Sequence, residues 1–276
     1  MRRGAPAGNA LARHRRPRCC ARMNDTERLL RDLGSDAVEL SPELFAAAAK
    51  DDGVIAKLRE ILLREADRPG SLSRREVNLA SWAAYVFAEN GSPSLLAPIL
   101  AIGGLPEDAV RRVLGAYADR DLPVILLRLA GDTVADTTTP LLQTYRGAPE
   151  VRVAPILAAG AAWAHGLLSR DAALKPLREE LERMANDSYA DAQDDEWLDT
   201  VLDAALFINP AGVEDDIEAL REYWGLEDDL DAELAAAEDE QEEDVKSRLR
   251  DMFPLFTRAM QFVERWDAID AEEDDA

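Results

Sequence analysis

Ala97-Pro98-Ile99-Leu100-Ala101-Ile102-Gly103 and Ala154-Pro155-Ile156-Leu157-Ala158-Ala159-Gly160 are two copies of one pattern. In each, a proline opens an aliphatic run that closes on small residues and glycine. Leu122-Pro123-Val124-Ile125-Leu126-Leu127, followed by Leu129-Ala130-Gly131, repeats the pattern more loosely. The prolines stand 25 and then 32 residues apart. Unequal spacing in this range is that of a degenerate helix-pair repeat. The expected fold is therefore all-α, an α-solenoid of antiparallel helix pairs.

Local signals around these stretches agree. Ser41-Pro42-Glu43 is an N-cap followed by proline at the first helical position. Ser73-Arg74-Arg75-Glu76 is a capping box, and Leu79, Trp82, Ala83 and Val86 follow at helical spacing. Asn90-Gly91 closes that helix and Ser92-Pro93 opens the next. Pro98 and Pro155 each follow an earlier proline, Pro93 and Pro149. Either each inner proline kinks a helix already begun, or a new helix starts there; the sequence leaves both open. Period-2 alternation is too short-lived to argue for a sheet.

The chain has 276 residues, 47% of them apolar and 6% aromatic, so alanine fills much of the core and helices can approach closely. Net charge is −23. Residues 1–22 hold seven arginines and no acid, leaving 25 basic against 55 acidic residues, a charge of −30, for residues 23–276. Such a body repels nucleic acid and anionic lipid surfaces. No apolar run is long enough to span a membrane. Cys19 and Cys20 are adjacent in the basic leader, a spacing that suits neither a disulfide framework nor a zinc knuckle. The domain reading is a basic leader over 1–22, disordered or preceding a true start at Met23; a helical array over 23–225; an acidic linker or solvated helix over 226–244; C-terminal helices over 245–266; and a disordered acidic tail over 267–276. Within the C-terminal part, Val245, Leu249 and Phe253 form one apolar stripe, and Phe256, Ala259, Met260 and Val263 a second.

The residues offer little chemistry. His165 is the one histidine of the body, and it lacks a second histidine or a cysteine to build a metal site or catalytic pair. The EF-hand, phosphate-loop, nucleophile-elbow and zinc-protease patterns are missing. The expectation is no catalytic residue, no metal and no cofactor. The tryptophans Trp82, Trp163, Trp197, Trp224 and Trp266 read first as packing between helical units. Read as function, Trp82, Tyr85, Tyr117, Trp163 and His165 are the candidates to line a concave groove and anchor a partner.

Ser81-Trp82-Ala83-Ala84-Tyr85 through Pro98, Leu105-Pro106-Glu107-Asp108-Ala109-Val110, Asp121 to Leu126, Trp197-Leu198-Asp199-Thr200-Val201-Leu202, Asn209-Pro210 and Ile217-Glu218-Ala219-Leu220-Arg221 resemble a bacterial family of unknown function with HEAT-like helical repeats. The resemblance covers about residues 40–250 and implies a HEAT-like solenoid without a known activity. Some members carry a C-terminal cysteine-rich zinc motif; this chain has no cysteine there and ends in acid. The functional expectation is a cytoplasmic scaffold or adaptor that binds a protein or peptide, with a basic partner favoured by the acidic surface and neither nucleic acid nor membrane bound. The alternative is an enzyme, of lyase or hydrolase type, with its site on the concave face of the same scaffold.

Overall fold

The computed structural model describes residues 24–35, 40–115, 118–144, 147–186, 195–224, 234–237 and 240–266. Every regular element among them is helical. The helices are α1 (Asp25–Leu33), α2 (Pro42–Lys50), α3 (Asp52–Asp67), α4 (Arg74–Asn90), α5 (Leu96–Gly103), α6 (Glu107–Leu114) and α7 (Ala118–Ala130). They continue with α8 (Val134–Thr137), α9 (Pro149–Arg152), α10 (Ala154–Ala164), α11 (Arg170–Met184), α12 (Asp195–Phe207), α13 (Glu214–Trp224) and α14 (Glu242–Met252). Residues 260–266 are helical again. None of the described helices is long and apolar enough to cross a membrane. The leader, the tail, Tyr117 and most of the acidic stretch lie outside the described residues; α14 begins inside the span expected as linker.

The cap signals act as read. Ser41 caps α2, its hydroxyl accepting from the Leu44 amide at 3.2 Å. Glu76 accepts from the backbone N–H of Ser73 at 3.0 Å and from its hydroxyl at 2.8 Å. The Ser73 backbone donor first, and then Arg64, hold the Glu76 carboxyl down at about 2. Gly91 ends α4 in the left-handed region at φ 72°, where a Cβ would be strained.

The proline question resolves in favour of new helices. Pro93–Leu95 is a short 3-10 turn, and α5 starts after it at Leu96, placing Pro98 in its first turn. In the second copy, Pro155 is the second residue of α10 and follows the short α9. A first-turn N–H has no intrahelical acceptor, so proline there removes no hydrogen bond. Pro123 differs: it lies inside α7. The glycines that end the two matching runs have a common use. A Cβ on Gly103 would meet Leu141 Cδ1 at 2.8 Å, and one on Gly160 would meet Ile208 Cγ2 at 2.8 Å. Both runs end where another segment crosses closely.

Helix α10 forms the centre of the core. All of its residues except Leu157 are buried, and it packs on α7, α8, α11 and α14. Earlier in the chain, α4 contacts α2, α3, α6 and α7. A buried carboxylate helps tie these parts: Glu65 of α3 pairs with Arg112 of α6 and accepts from the Gly70 amide at 2.8 Å.

Candidate binding groove

Helix α4 places Trp82 and Tyr85 three residues apart, near enough to share one edge, and their rings lie 5.9 Å apart. Phe45 of α2 meets Trp82 edge-on at 5.7 Å. Asp121 of α7 lies behind Tyr85 and is 1% exposed. Together these side chains form an aromatic trough with a carboxylate at its base.

The chain's own C-terminal segment occupies that trough. Phe262 and Trp266, one helical turn apart, each meet Tyr85 at 5.2 Å, and Trp266 lies 6.0 Å from Trp82. The Trp266 indole Nε1 donates to Asp121 Oδ2 at 2.8 Å, and the Tyr85 hydroxyl donates to the same oxygen at 2.9 Å. Arg265 Nη1 stands 3.9 Å from Asp121 Oδ1. Neither of those two atoms has a hydrogen-bond partner among the described residues. The Ala259 amide donates to Glu89 Oε2 of α4 at 2.6 Å. Phe256 packs edge-on against Phe262 at 4.8 Å.

The electrostatics follow from this burial. Loss of water pushes the Asp121 carboxyl up to about 6; the hydrogen bonds from Tyr85 and Trp266 and the Arg265 charge offset only part of that. Burial first, and then the Asp121 charge, raise the Tyr85 hydroxyl well above its ordinary value. Burial lowers Arg265 despite the pull of Asp121.

The other candidates lie elsewhere. Trp163 is buried between two cations of the chain, with Arg170 Cζ 4.3 Å and Lys246 Nζ 4.9 Å from its ring centre. His165 caps the end of α10, and its Nε2 donates to the Phe253 carbonyl at 2.9 Å. A carbonyl only accepts, so Nε2 carries the proton. Trp82 and Tyr85 are thus brought together, while Trp163 and His165 form a second contact with the C-terminal part. A separate cleft of about 300 Å³ is lined by Asp119, Val153, Leu157, Asp203, Phe207 and Met252 among others; His165 is not among its lining residues. Among the described residues no group of three or more histidine, cysteine or acidic side chains is placed to hold a metal ion.

Sequence reasoning missed Asp121, Phe262 and the role of Trp266. Of the second C-terminal stripe, Ala259 is buried and Phe256 and Met260 pack partly buried against the core, while Phe262 takes the buried place expected of Val263. The aromatic pair Phe262 and Trp266 at i and i+4 was the available signal. No protein-family model, curated protein or solved structure matches the chain.

Proposed function

We propose that this protein is a HEAT-like α-solenoid of antiparallel helix pairs that works in the cytoplasm as a scaffold, holding a segment of a partner protein in the groove between α4 and α7. The observation that carries this reading is the seating of Ala259, Phe262 and Trp266 of the C-terminal segment in that groove. A groove that accepts one aromatic, amphipathic segment through ring contacts, an indole hydrogen bond and a backbone amide has the shape and chemistry to accept another. The partner is read as basic. The seated segment carries Arg258 and Arg265 against Glu264, and the body around it is strongly acidic. His165, the residue an enzyme reading would need, is committed to the Phe253 carbonyl.

The test is photo-crosslinking of the full chain with p-benzoylphenylalanine in place of Trp82, in cells and at low salt. A discrete adduct with one protein is expected, and it should fade when the seated segment is supplied as a competing peptide. Labelling that stays diffuse and ignores the competitor would remove the scaffold reading.

A further inference from the structure

The contacts that hold the C-terminal segment are the contacts of a bound peptide. Phe253 closes α14 and is fixed by His165. Residues 254–257 then run without regular structure, with Leu255 45% exposed. The helical part beyond brings Ala259 and Phe262 fully into the groove. Residues 259–266 can therefore leave by rotation about 254–258 without unwinding any helix of the bundle.

What they would leave behind is specific. On the groove side, Asp121 receives one hydrogen bond, from the Tyr85 hydroxyl, inside a cage of Tyr85, Trp82 and Phe45. The charged groups that act on it are Asp119 on its own helix and Arg265 on the seated segment, and Arg120 acts in turn on Arg265. An apolar cage with an acceptor at its base selects an occupant that is flat, apolar and carries one N–H donor at its edge. An indole meets that description; phenylalanine lacks the donor, and an aliphatic side chain lacks the ring as well.

We propose that the groove recognises a helical segment presenting an aromatic side chain and, four residues on, a tryptophan preceded by arginine, and that residues 254–266 hold this place in cis until such a partner displaces them. The occupant is thus a protein segment with the signature of Phe262, Arg265 and Trp266. A tethered segment competes at an effective concentration in the millimolar range, so the free groove is rare and a partner has to match these contacts closely.

This inference rests on the scaffold reading but fails separately from it. The probe is a labelled synthetic peptide with the sequence of residues 254–266, titrated onto the full-length chain. The wild type should bind it weakly. Full-length F262A/W266A, with its own segment released, should bind about tenfold tighter or more. In that background Asp121→Leu should abolish binding. Asp121→Asn should retain it, because the amide oxygen still accepts. A peptide with phenylalanine for its tryptophan should bind about tenfold more weakly. Equal peptide affinity for the wild type and F262A/W266A, or indifference to Asp121→Leu, would overturn the proposal even where a crosslinked partner exists. Hydrogen exchange on the wild type gives an answer that does not depend on the variants folding. Amides of residues 259–266 should exchange about a hundredfold faster than those of α10, and equal protection would mean the segment is not released.

Discussion

Two buried carboxylates in this molecule each accept a tryptophan N–H, and their surroundings differ in every other respect. Glu180 of α11 is 2% exposed and takes the Trp197 indole of α12 at 2.9 Å. Arg183, three residues on in the same helix, grips both oxygens of Glu180, its Nε at 2.9 Å from Oε2. The Trp197 ring in turn lies 3.8 Å from the Arg152 guanidinium of α9. Asp121 is as deeply buried and takes the Trp266 indole at 2.8 Å, but its cation stands off at 3.9 Å and one oxygen has no hydrogen-bond partner among the described residues. The same acceptor–indole pair is a permanent joint where the charge is neutralised locally. It is a more weakly neutralised, proton-sensitive joint where the C-terminal segment covers the charge from a distance.

The sharpest way to break this contrast is to remove each acid. Glu180→Ala leaves the buried Trp197 N–H without its acceptor and takes the carboxylate from half-buried Arg183, which keeps the Leu142 carbonyl, and should cost about 3 kcal/mol in urea unfolding. Asp121→Asn should do the opposite at neutral pH. The Asp121 carboxyl rises from the ordinary 3.8 to about 6 on folding, so the folded state binds more protons than the unfolded one between these values. Its penalty on stability is about 3 kcal/mol, fully present above pH 6 and absent below about 3.8. Asparagine removes that penalty, so D121N should raise stability at pH 7.5 and flatten the rise that the wild type shows on acidification through this window. Equal pH slopes for D121N and wild type in chemical denaturation would refute this account of Asp121.

Glu76 supplies an internal control of the sign. Its carboxyl is held down at about 2 by the Ser73 backbone and Arg64, so its contribution is present above about 4.5 and lost as pH falls toward 2. E76Q should therefore blunt the acid-side loss of stability and leave the window between about 4.5 and 6 untouched. Stability measured against pH would then separate the two acids by the direction of their slopes.

Much of the helix architecture was legible because caps, glycines and proline positions are local instructions. Ser41, Ser73 with Glu76, and Gly91 act in the structure through neighbours a few residues away. The proline ambiguity at Pro98 and Pro155 was not legible, since it turns on where the preceding turn ends, a matter of packing. The groove was half legible. Trp82 and Tyr85 share a helix edge by spacing alone, but Asp121 lies 36 residues from its Tyr85 partner and 145 from Trp266. Contacts at that separation leave no periodic trace, and an aspartate in the first turn of a helix reads as dipole chemistry until its burial is seen. The same blindness hid Glu180, which reads as one of several acids on an amphipathic helix.

The two tryptophans offer the finest comparison. Trp197→Phe and Trp266→Phe each delete one N–H and leave a carboxylate oxygen short of a donor. At Glu180 the same oxygen still accepts from Arg183, but Glu180 is 2% exposed and Trp197 fully buried, so the lost donor is poorly replaced by water and the loss should be about 1–2 kcal/mol. At Asp121 the released segment can shift and admit water, and the remaining Tyr85 hydroxyl still donates, so Trp266→Phe should cost about 1 kcal/mol or less in global stability. Its effect should appear instead in local exchange, with amides of residues 259–266 losing protection while those of α11 and α12 keep theirs. Should the two substitutions cost the same and deprotect the same helices, the C-terminal segment would be part of one cooperative core, and the distinction between a permanent joint and a releasable one would fall.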